Sequence, residues 1–190
     1  MGKNIMFKSW DKTQKIYIDQ EVDLDEQPSI DHYIESCNLS EYIYKVGDII
    51  HSDRHKSEYR VTGDEHINKH QQWAYILVID NKVVKCGNTI TTLIDRWGSY
   101  RTGHDGNRTS GTCSTTNYYI SELVRTSHKM GLTVELYGYA IPQQLTSADI
   151  FGTKKECVIN IVSDYESELI NRFYDTYGHK PIAGPNGMKK

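Results

Sequence analysis

The sequence predicts an α+β fold in which a small antiparallel sheet of about three strands is flanked by helices. Short runs rich in β-branched and aromatic residues alternate with segments of helical apolar spacing. Polar turns separate the runs, and one of these turns is short enough for a β-hairpin. The stretch around which we expect the fold to be organised runs from Trp73 to Arg101, where an apolar hairpin leads directly into a helix.

The predicted hairpin has two short strands. Residues 75–79 form a run of one tyrosine and four aliphatic side chains, and residues 83–86 form a second apolar run that ends at Gly87. Asp80 and Asn81 lie between the runs and are typical of a tight turn.

A helix is predicted directly after the hairpin, from about residue 91 to residue 100. Asn88 and Thr89 offer N-cap chemistry, and apolar side chains then recur at helical spacing at Leu93, Ile94 and Trp97. Arg96 and Tyr100 are four residues apart, so they should share one helical face. Tyr75 and Lys85 are separated by ten residues across the turn, and this even spacing is compatible with one face of the sheet. Two phenols, an ammonium and a guanidinium can therefore converge beside Gly87.

Two regions are predicted: a β-rich region over residues 1–70 and a compact domain over residues 71–190. The expected elements of the first region are strands near 16–22, 42–50 and 59–62 and a short helix near 30–37. In the second region we expect a long polar loop over 102–117, a helix over 118–129, a strand over 132–139, an irregular stretch, and a final helix capped by Ser163 or Asp164 and ending near Tyr174.

The final helix carries two glutamates, and spacing separates them. Leu169 and Phe173 lie three and seven residues beyond Glu166, so Glu166 shares the apolar face of the helix, whereas Glu168 points away from that face. A carboxylate on a buried stripe is costly unless it is paired or binds a cation. Glu166 is therefore the candidate functional carboxylate.

Composition limits the function classes. The formal net charge is −3, which argues against indiscriminate coating of nucleic acid, although bases gather in one part of the chain, at Lys82, Lys85, Arg96, Arg101 and Arg108. The four cysteines form no CxxC pair and predict neither a disulfide framework nor a zinc ribbon. No run approaches transmembrane length, so we expect a soluble cytoplasmic protein with no membrane partner.

The segments Trp73-Ala74-Tyr75 and Lys85-Cys86-Gly87, followed by a helix with Arg96, resemble the GIY-YIG nuclease superfamily. Only the first tyrosine and the final glycine match the motif that names the superfamily. Lys85 replaces the second tyrosine, and this replacement resembles a branch of type II restriction endonucleases. The resemblance covers about residues 73–186, including Glu166 before a Leu-Ile pair and a tail that contains Asn186.

The resemblance implies a set of roles at these positions. Tyr75 would act as general base with Lys85 stabilising its phenolate, and Arg96 and Tyr100 would hold the scissile phosphate. Glu166 would bind Mg²⁺, the expected cofactor. Gly87 would allow close approach of DNA, and Arg101 and Arg108 would contact it. Arg108 lies in the polar loop over 102–117, which is equally well explained as an ordinary flexible connection.

The predicted function is that of a type II restriction enzyme, a site-specific endonuclease that hydrolyses double-stranded DNA. A homodimer is expected, because cutting both strands of a symmetric site requires two active sites related by two-fold symmetry. The β-rich region 1–70 would then serve DNA recognition or an accessory role. Two alternatives stay open: a phage-type or mobile-element endonuclease of relaxed specificity, and a DNA-binding module that has lost catalysis.

Overall fold

A computed structural model describes residues 3–11, 13–54 and 58–183. The strands in these residues are β1 (Asn4–Asp11), β2 (Ile16–Asp23), β3 (Tyr44–His51), β4 (Tyr59–Gly63), β5 (Trp73–Ile79), β6 (Lys82–Thr89), β7 (Val134–Ala140), β8 (Leu145–Ile150) and β9 (Thr153–Val158). The helices are α1 (Ile30–Ser36), α2 (Leu93–Arg101), α3 (Asp105–Thr109), α4 (Thr115–Lys129) and α5 (Val162–Tyr177), and a 3₁₀ turn spans Glu65–Asn68. The predicted α+β class is confirmed.

The central sheet is larger than predicted. It has five antiparallel strands in the order β4-β3-β7-β5-β6, instead of about three. The two additional strands, β3 and β4, come from the region before residue 71 and join the sheet through the pairing of β3 with β7. Because that pairing links residues far apart in the chain, local sequence pattern could not reveal it.

The hairpin of β5 and β6 forms where the sequence predicted it. Asp80 and Asn81 have φ angles of 49° and 65°, the left-handed values that a two-residue primed turn requires. β6 extends beyond Gly87 to Thr89, so the helix that follows begins later than predicted. Thr92 is its N-cap, and the Thr92 side chain accepts a hydrogen bond from the backbone N–H of Asp95 at 2.9 Å.

Both faces of the sheet are covered, and β5 is buried along its whole length. One face of β5 presents Tyr75 and Leu77 to a core that includes residues of α2 and α4. The opposite face presents Ala74 and Ile76 to a second core that includes residues of α1 and α5. The alternation of side chains along one strand therefore determines which helices each site residue meets.

The predicted polar loop over 102–117 is wrong in part. It contains the short helix α3, and α4 begins at Thr115 because Ser114 caps it by accepting from the backbone N–H of Asn117 at 3.0 Å. Arg108 lies inside this segment, where its guanidinium donates to the carbonyl of Cys113 and lies 5.6 Å from the ring of Trp10.

Two hairpins were not predicted in full. Only β2 was expected of the first hairpin, whose strand β1 packs on α4 through the Phe7 and Tyr119 rings, 4.9 Å apart. The second hairpin, β8 and β9, replaces the irregular stretch expected after Pro142. It pairs only with itself, and its turn residue Phe151 is fully exposed.

The last helix, α5, is longer than predicted. It begins at Val162 without a side-chain cap, so neither Ser163 nor Asp164 has the predicted capping role. It ends at Gly178, whose φ of 75° forms the left-handed C-cap. Among the described residues no helix combines the length and apolarity needed to cross a membrane.

Candidate active site

Three of the predicted site residues form one hydrogen-bonded cluster. The hydroxyls of Tyr75 on β5 and Tyr100 on α2 are 2.7 Å apart. Arg96, one turn before Tyr100, donates from Nε to the Tyr75 hydroxyl at 3.2 Å and from Nη2 to the Tyr100 hydroxyl at 3.1 Å. Its guanidinium carbon also lies 4.7 Å from the Tyr100 ring centroid. The predicted sharing of one helical face by Arg96 and Tyr100 is therefore confirmed.

The cluster is electrostatically unusual because a guanidinium contacts two phenol hydroxyls. Tyr75 and Tyr100 have no exposed surface, while Arg96 is half-buried and covers their hydroxyls. Burial raises the pKa of Tyr100 well above its ordinary value, and Tyr100 therefore stays a neutral donor at physiological pH. Burial acts to lower the pKa of Arg96, but the two phenols outweigh it and the pKa of Arg96 is raised overall. In this arrangement no described carboxylate pairs with Arg96.

Gly87 has a steric role in positioning Tyr75. The two residues are opposite one another in adjacent strands, and the Tyr75 ring lies over Gly87. A Cβ atom at residue 87 would be 2.5 Å from both Cζ and the hydroxyl oxygen of Tyr75. The close approach that this glycine permits is thus an approach of a side chain within the protein, and its predicted contact with DNA stays a prediction.

Lys85 lies on the same sheet face as Tyr75, as predicted. It is opposite Leu77 in the strand register and two residues before Gly87, so alternation places it on the face that carries Tyr75. It is only 3% exposed, and in the described part of the chain no hydrogen bond or ion pair engages its ammonium. A buried ammonium without an anionic partner is unfavourable unless an anion completes the site.

Glu166 faces the sheet and Glu168 faces solvent, which confirms the predicted helical faces. The half-buried carboxylate of Glu166 accepts a hydrogen bond from the side-chain amide of Asn88 on β6. Glu168 is exposed and pairs with Arg172 one turn later at 2.8 Å. Glu166 thus contacts the residue that directly follows Gly87.

The site is built across an edge of the sheet. Gly87 and Asn88 are successive residues of β6, so Tyr75 and Glu166 approach this strand from opposite faces. β6 is an edge strand. On its outer side the described residues Pro28, Ser29 and Ala183 pair only with residues 82–84. At Gly87 and Asn88 a ligand that lies along this edge can therefore meet side chains from both faces.

Asn88 is the site residue that sequence reasoning missed, because it was interpreted only as a helix cap. The signal that could have identified it is the strand period: one residue beyond Gly87, Asn88 must point to the opposite face. The other predicted contacts are less defined. Arg101 is half-exposed at the end of α2, and Arg108 is engaged inside its own loop. Asn186 lies outside the described residues, and the predicted DNA contacts of Arg101 and Arg108 stay predictions.

The donor set at this edge can be compared with the needs of a divalent cation. No group of three or more His, Cys, Asp or Glu side chains in residues 3–11, 13–54 and 58–183 could hold a metal ion. Mg²⁺ does not require such a cage, because it keeps several waters and is commonly bound by one or two carboxylates together with substrate phosphate. A single partly exposed carboxylate, Glu166, with an amide beside it fits that mode of binding.

No protein-family model and no curated protein match the chain. Among solved structures, the restriction endonuclease HPY188I in complex with product DNA superposes with a TM-score of 0.59 at 22% identity, over 88% of this chain and 89% of that one. The chain therefore shares the overall fold of this restriction endonuclease. A bacteriophage T4 EndoII mutant superposes with a TM-score of 0.47 at 19% identity, over 77% of this chain and 95% of that one.

Proposed function

We propose that this protein is a DNA endonuclease of the GIY-YIG type that hydrolyses phosphodiester bonds at the edge of β6. The observation that carries the proposal is the buried cluster of Tyr75, Tyr100 and Arg96 beside Gly87. Glu166, on α5, is hydrogen-bonded to the residue of β6 that directly follows Gly87. The fold that the chain shares with a restriction endonuclease supports it. Tyrosine, arginine and one carboxylate supply a base, phosphate electrostatics and a cation ligand, which are the needs of this reaction.

Substrate binding would rearrange the cluster. Arg96 donates to two phenol oxygens, and a phosphate is a stronger acceptor because it carries negative charge and can accept two parallel hydrogen bonds from a guanidinium. A bound phosphate would therefore draw the guanidinium outward. This movement uncovers the hydroxyl of Tyr75, which has no access to solvent while Arg96 covers it.

The uncovered Tyr75 would lose its own proton to solvent and, as the phenolate, would remove the proton from the attacking water. Tyr100, 2.7 Å away, remains a neutral donor and stabilises negative charge on the Tyr75 oxygen. Lys85, on the same face, adds a positive charge near the phosphate. Arg96 would then stabilise the extra charge that develops on the phosphate in the transition state.

Glu166 would hold Mg²⁺, which when bound neutralises the charge on the leaving oxygen. Asn88 now donates to the carboxylate of Glu166 and keeps it at the strand edge.

We further propose that the enzyme is a site-specific type II restriction endonuclease that acts on double-stranded DNA as a homodimer. The matching coverage of this chain and the restriction enzyme, nearly nine tenths of each, favours this reading over an endonuclease of relaxed specificity. The third possibility, a module that only binds DNA, would leave the cluster around Tyr75 without a purpose.

The test is incubation of the purified protein with a large defined DNA, with and without Mg²⁺. Discrete fragments that require Mg²⁺ would support the site-specific enzyme, and a smear would support a relaxed nuclease. Intact DNA that is nevertheless bound would refute catalysis. Tyr75→Phe serves as the matched control, since it removes only the hydroxyl and should bind DNA without cutting it.

A further inference from the structure

A cleft of about 240 Å³ lies between α5 and the sheet, on the face that carries Glu166. Its wall is a row of three tyrosines, Tyr42, Tyr139 and Tyr165. The ring centroids of Tyr42 and Tyr139 are 5.6 Å apart, as are those of Tyr139 and Tyr165. The apolar lining comprises Leu39, Ile43, Ala74 and Leu169. Tyr42 is perpendicular to Tyr139, at 87°, and Tyr139 and Tyr165 are tilted by 34°, so the partly exposed ring of Tyr42 and the apolar floor can contact a flat, uncharged ring.

The cleft lies next to the candidate active site. Asn88, Ala74 and Tyr139 are opposite one another on the adjacent strands β6, β5 and β7. Neighbouring strands are about 4.8 Å apart, so the cleft begins roughly one strand spacing from the residue that holds Glu166. Tyr165 directly precedes Glu166 on α5. The small side chain of Ala74 leaves the space that a larger residue in this row would fill.

These tyrosines differ from the core tyrosines of the same protein. Tyr33 and Tyr59 are buried, and their hydroxyls donate to the carbonyl of Leu169 and to Ser121. The hydroxyls of the three cleft tyrosines have no hydrogen-bond partner within residues 3–11, 13–54 and 58–183, and Tyr42 is 47% exposed. Tyr139 and Tyr165 pack partly against the core, whereas the Tyr42 ring is left open to a ligand.

The charges at the rim indicate the kind of ligand. Arg172 donates to Glu168 at 2.8 Å and to the carbonyl of Cys37 at 2.9 Å, so the charged side chains that line the cleft satisfy each other. The remaining lining is neutral, which suits a nucleobase better than a phosphate. A cavity of about 510 Å³ near the base of the β8–β9 hairpin has neither tyrosines nor site residues in its lining.

We propose that the tyrosine cleft binds one unstacked nucleobase of the DNA strand whose phosphate is held at Glu166. This inference rests on the proposed endonuclease function and adds a base-binding site to it. Aromatic side chains bind bases irrespective of their identity by stacking, and extruding a base costs least when it is already unpaired. Holding the base would fix the strand beside the carboxylate and favour flexible or weakly paired positions next to the cut.

The test compares two DNA duplexes of the same sequence, one fully paired and one with a single unpaired 2-aminopurine, bound to Tyr75→Phe without Mg²⁺. The unpaired duplex should bind more tightly, and its fluorescence should be quenched by stacking. Tyr42→Leu in this background should weaken binding of the unpaired duplex roughly 5- to 100-fold and leave the paired duplex unchanged. Tyr42→Trp should retain binding. Tyr174→Leu is the matched control, since Tyr174 is 51% exposed on α5 and does not line the cleft.

Each outcome separates the two proposals. Equal losses for both duplexes, or no loss for either, would overturn the base-binding cleft, while cleavage by the unsubstituted protein would still support the endonuclease. Quenching that depends on Tyr42, without any cleavage, would support the cleft and overturn the endonuclease. Preference for a proline-rich or aromatic peptide over the unpaired duplex would assign the cleft to a protein partner and overturn the inference.

Discussion

Gly87→Ala is the most direct test of how the catalytic tyrosine is positioned. The new methyl group would lie 2.5 Å from Cζ and the hydroxyl oxygen of Tyr75 and 2.8 Å from its Cε2. Nonbonded carbon atoms require about 3.5 Å, so the phenol must retreat by about 1 Å. A retreat of that size would lengthen or break the 2.7 Å hydrogen bond to Tyr100.

The expected loss of activity follows from this displacement. A misplacement of about 1 Å at a reacting group can cost roughly 100-fold in rate, and overpacking of a core typically costs about 1–3 kcal/mol of stability. Single-turnover cleavage of a defined DNA measures the first effect without interference from product release. Thermal unfolding measures the second, so the two losses can be separated at a temperature where the variant is folded.

Gly98→Ala is the matched control. Gly98 lies within α2, two residues after Arg96, and a Cβ there would meet no atom closer than the Nη2 of Arg101 at 3.6 Å. Alanine in a helix is favoured over glycine by about 0.5–1 kcal/mol, so this variant should be slightly more stable and fully active. If Gly87→Ala were folded and cleaved DNA at the unsubstituted rate, the positioning of Tyr75 against Gly87 would have no part in catalysis.

Four further changes are expected to have defined outcomes. Glu166→Gln should abolish Mg²⁺-dependent cleavage and retain DNA binding, and Glu168→Gln should have little effect; an inactive Glu168→Gln would reverse the assignment. Arg96→Ala should raise the activation free energy of single-turnover cleavage by about 3–4 kcal/mol. An equal loss of DNA affinity would show that Arg96 only binds the DNA. Lys85→Met should raise the unfolding temperature, because it removes a buried charged group, and should lower the cleavage rate. A lower unfolding temperature would mean that Lys85 forms a stabilising interaction with another group of the protein. Burial lowers the pKa of His128 below the usual histidine value of about 6.5. Just below pH 6.5 the unfolded state therefore binds more protons at this residue than the folded state does. Folding stability should therefore fall as pH drops just below 6.5, and His128→Gln should flatten this dependence in denaturant unfolding.

Local patterns in the sequence predicted much of the candidate site. The turn pair Asp80-Asn81 set the hairpin. The face shared by Tyr75 and Lys85 depends in addition on the bulge between Leu77 and Val78, because the register at the turn, with Ile79 opposite Lys82, would otherwise place Lys85 on the other face. Helical spacing separated Glu166 from the exposed glutamate two residues later. The hairpin turn and the helical faces were predictable because each depends on geometry within one element or one tight turn.

Features that depend on other parts of the chain were less predictable. The contact of Asn88 with Glu166 joins residues 78 positions apart, and no local pattern encodes it. Thr92 caps α2 in place of Asn88 and Thr89, because β6 continues through those two residues. The β8–β9 hairpin was missed because its side chains are mostly exposed and show no alternation between apolar and polar residues.

The way that hairpin joins the protein has an evolutionary consequence. The backbone N–H of Ile159 donates to the carbonyl of Gln144 at 2.9 Å, so the chain leaves and re-enters the body at neighbouring points. The side chain of Gln72 stabilises this point of the chain, because it donates to the carbonyl of Ile159 at 2.7 Å and accepts from the N–H of Ile161 at 2.9 Å. Since the closure entropy of a loop grows only slowly with its length, residues 145–158 can be shortened, extended or exchanged at little thermodynamic cost. Related proteins can therefore diversify this corner of the surface while β7 and α5, and the residues they position, stay in place.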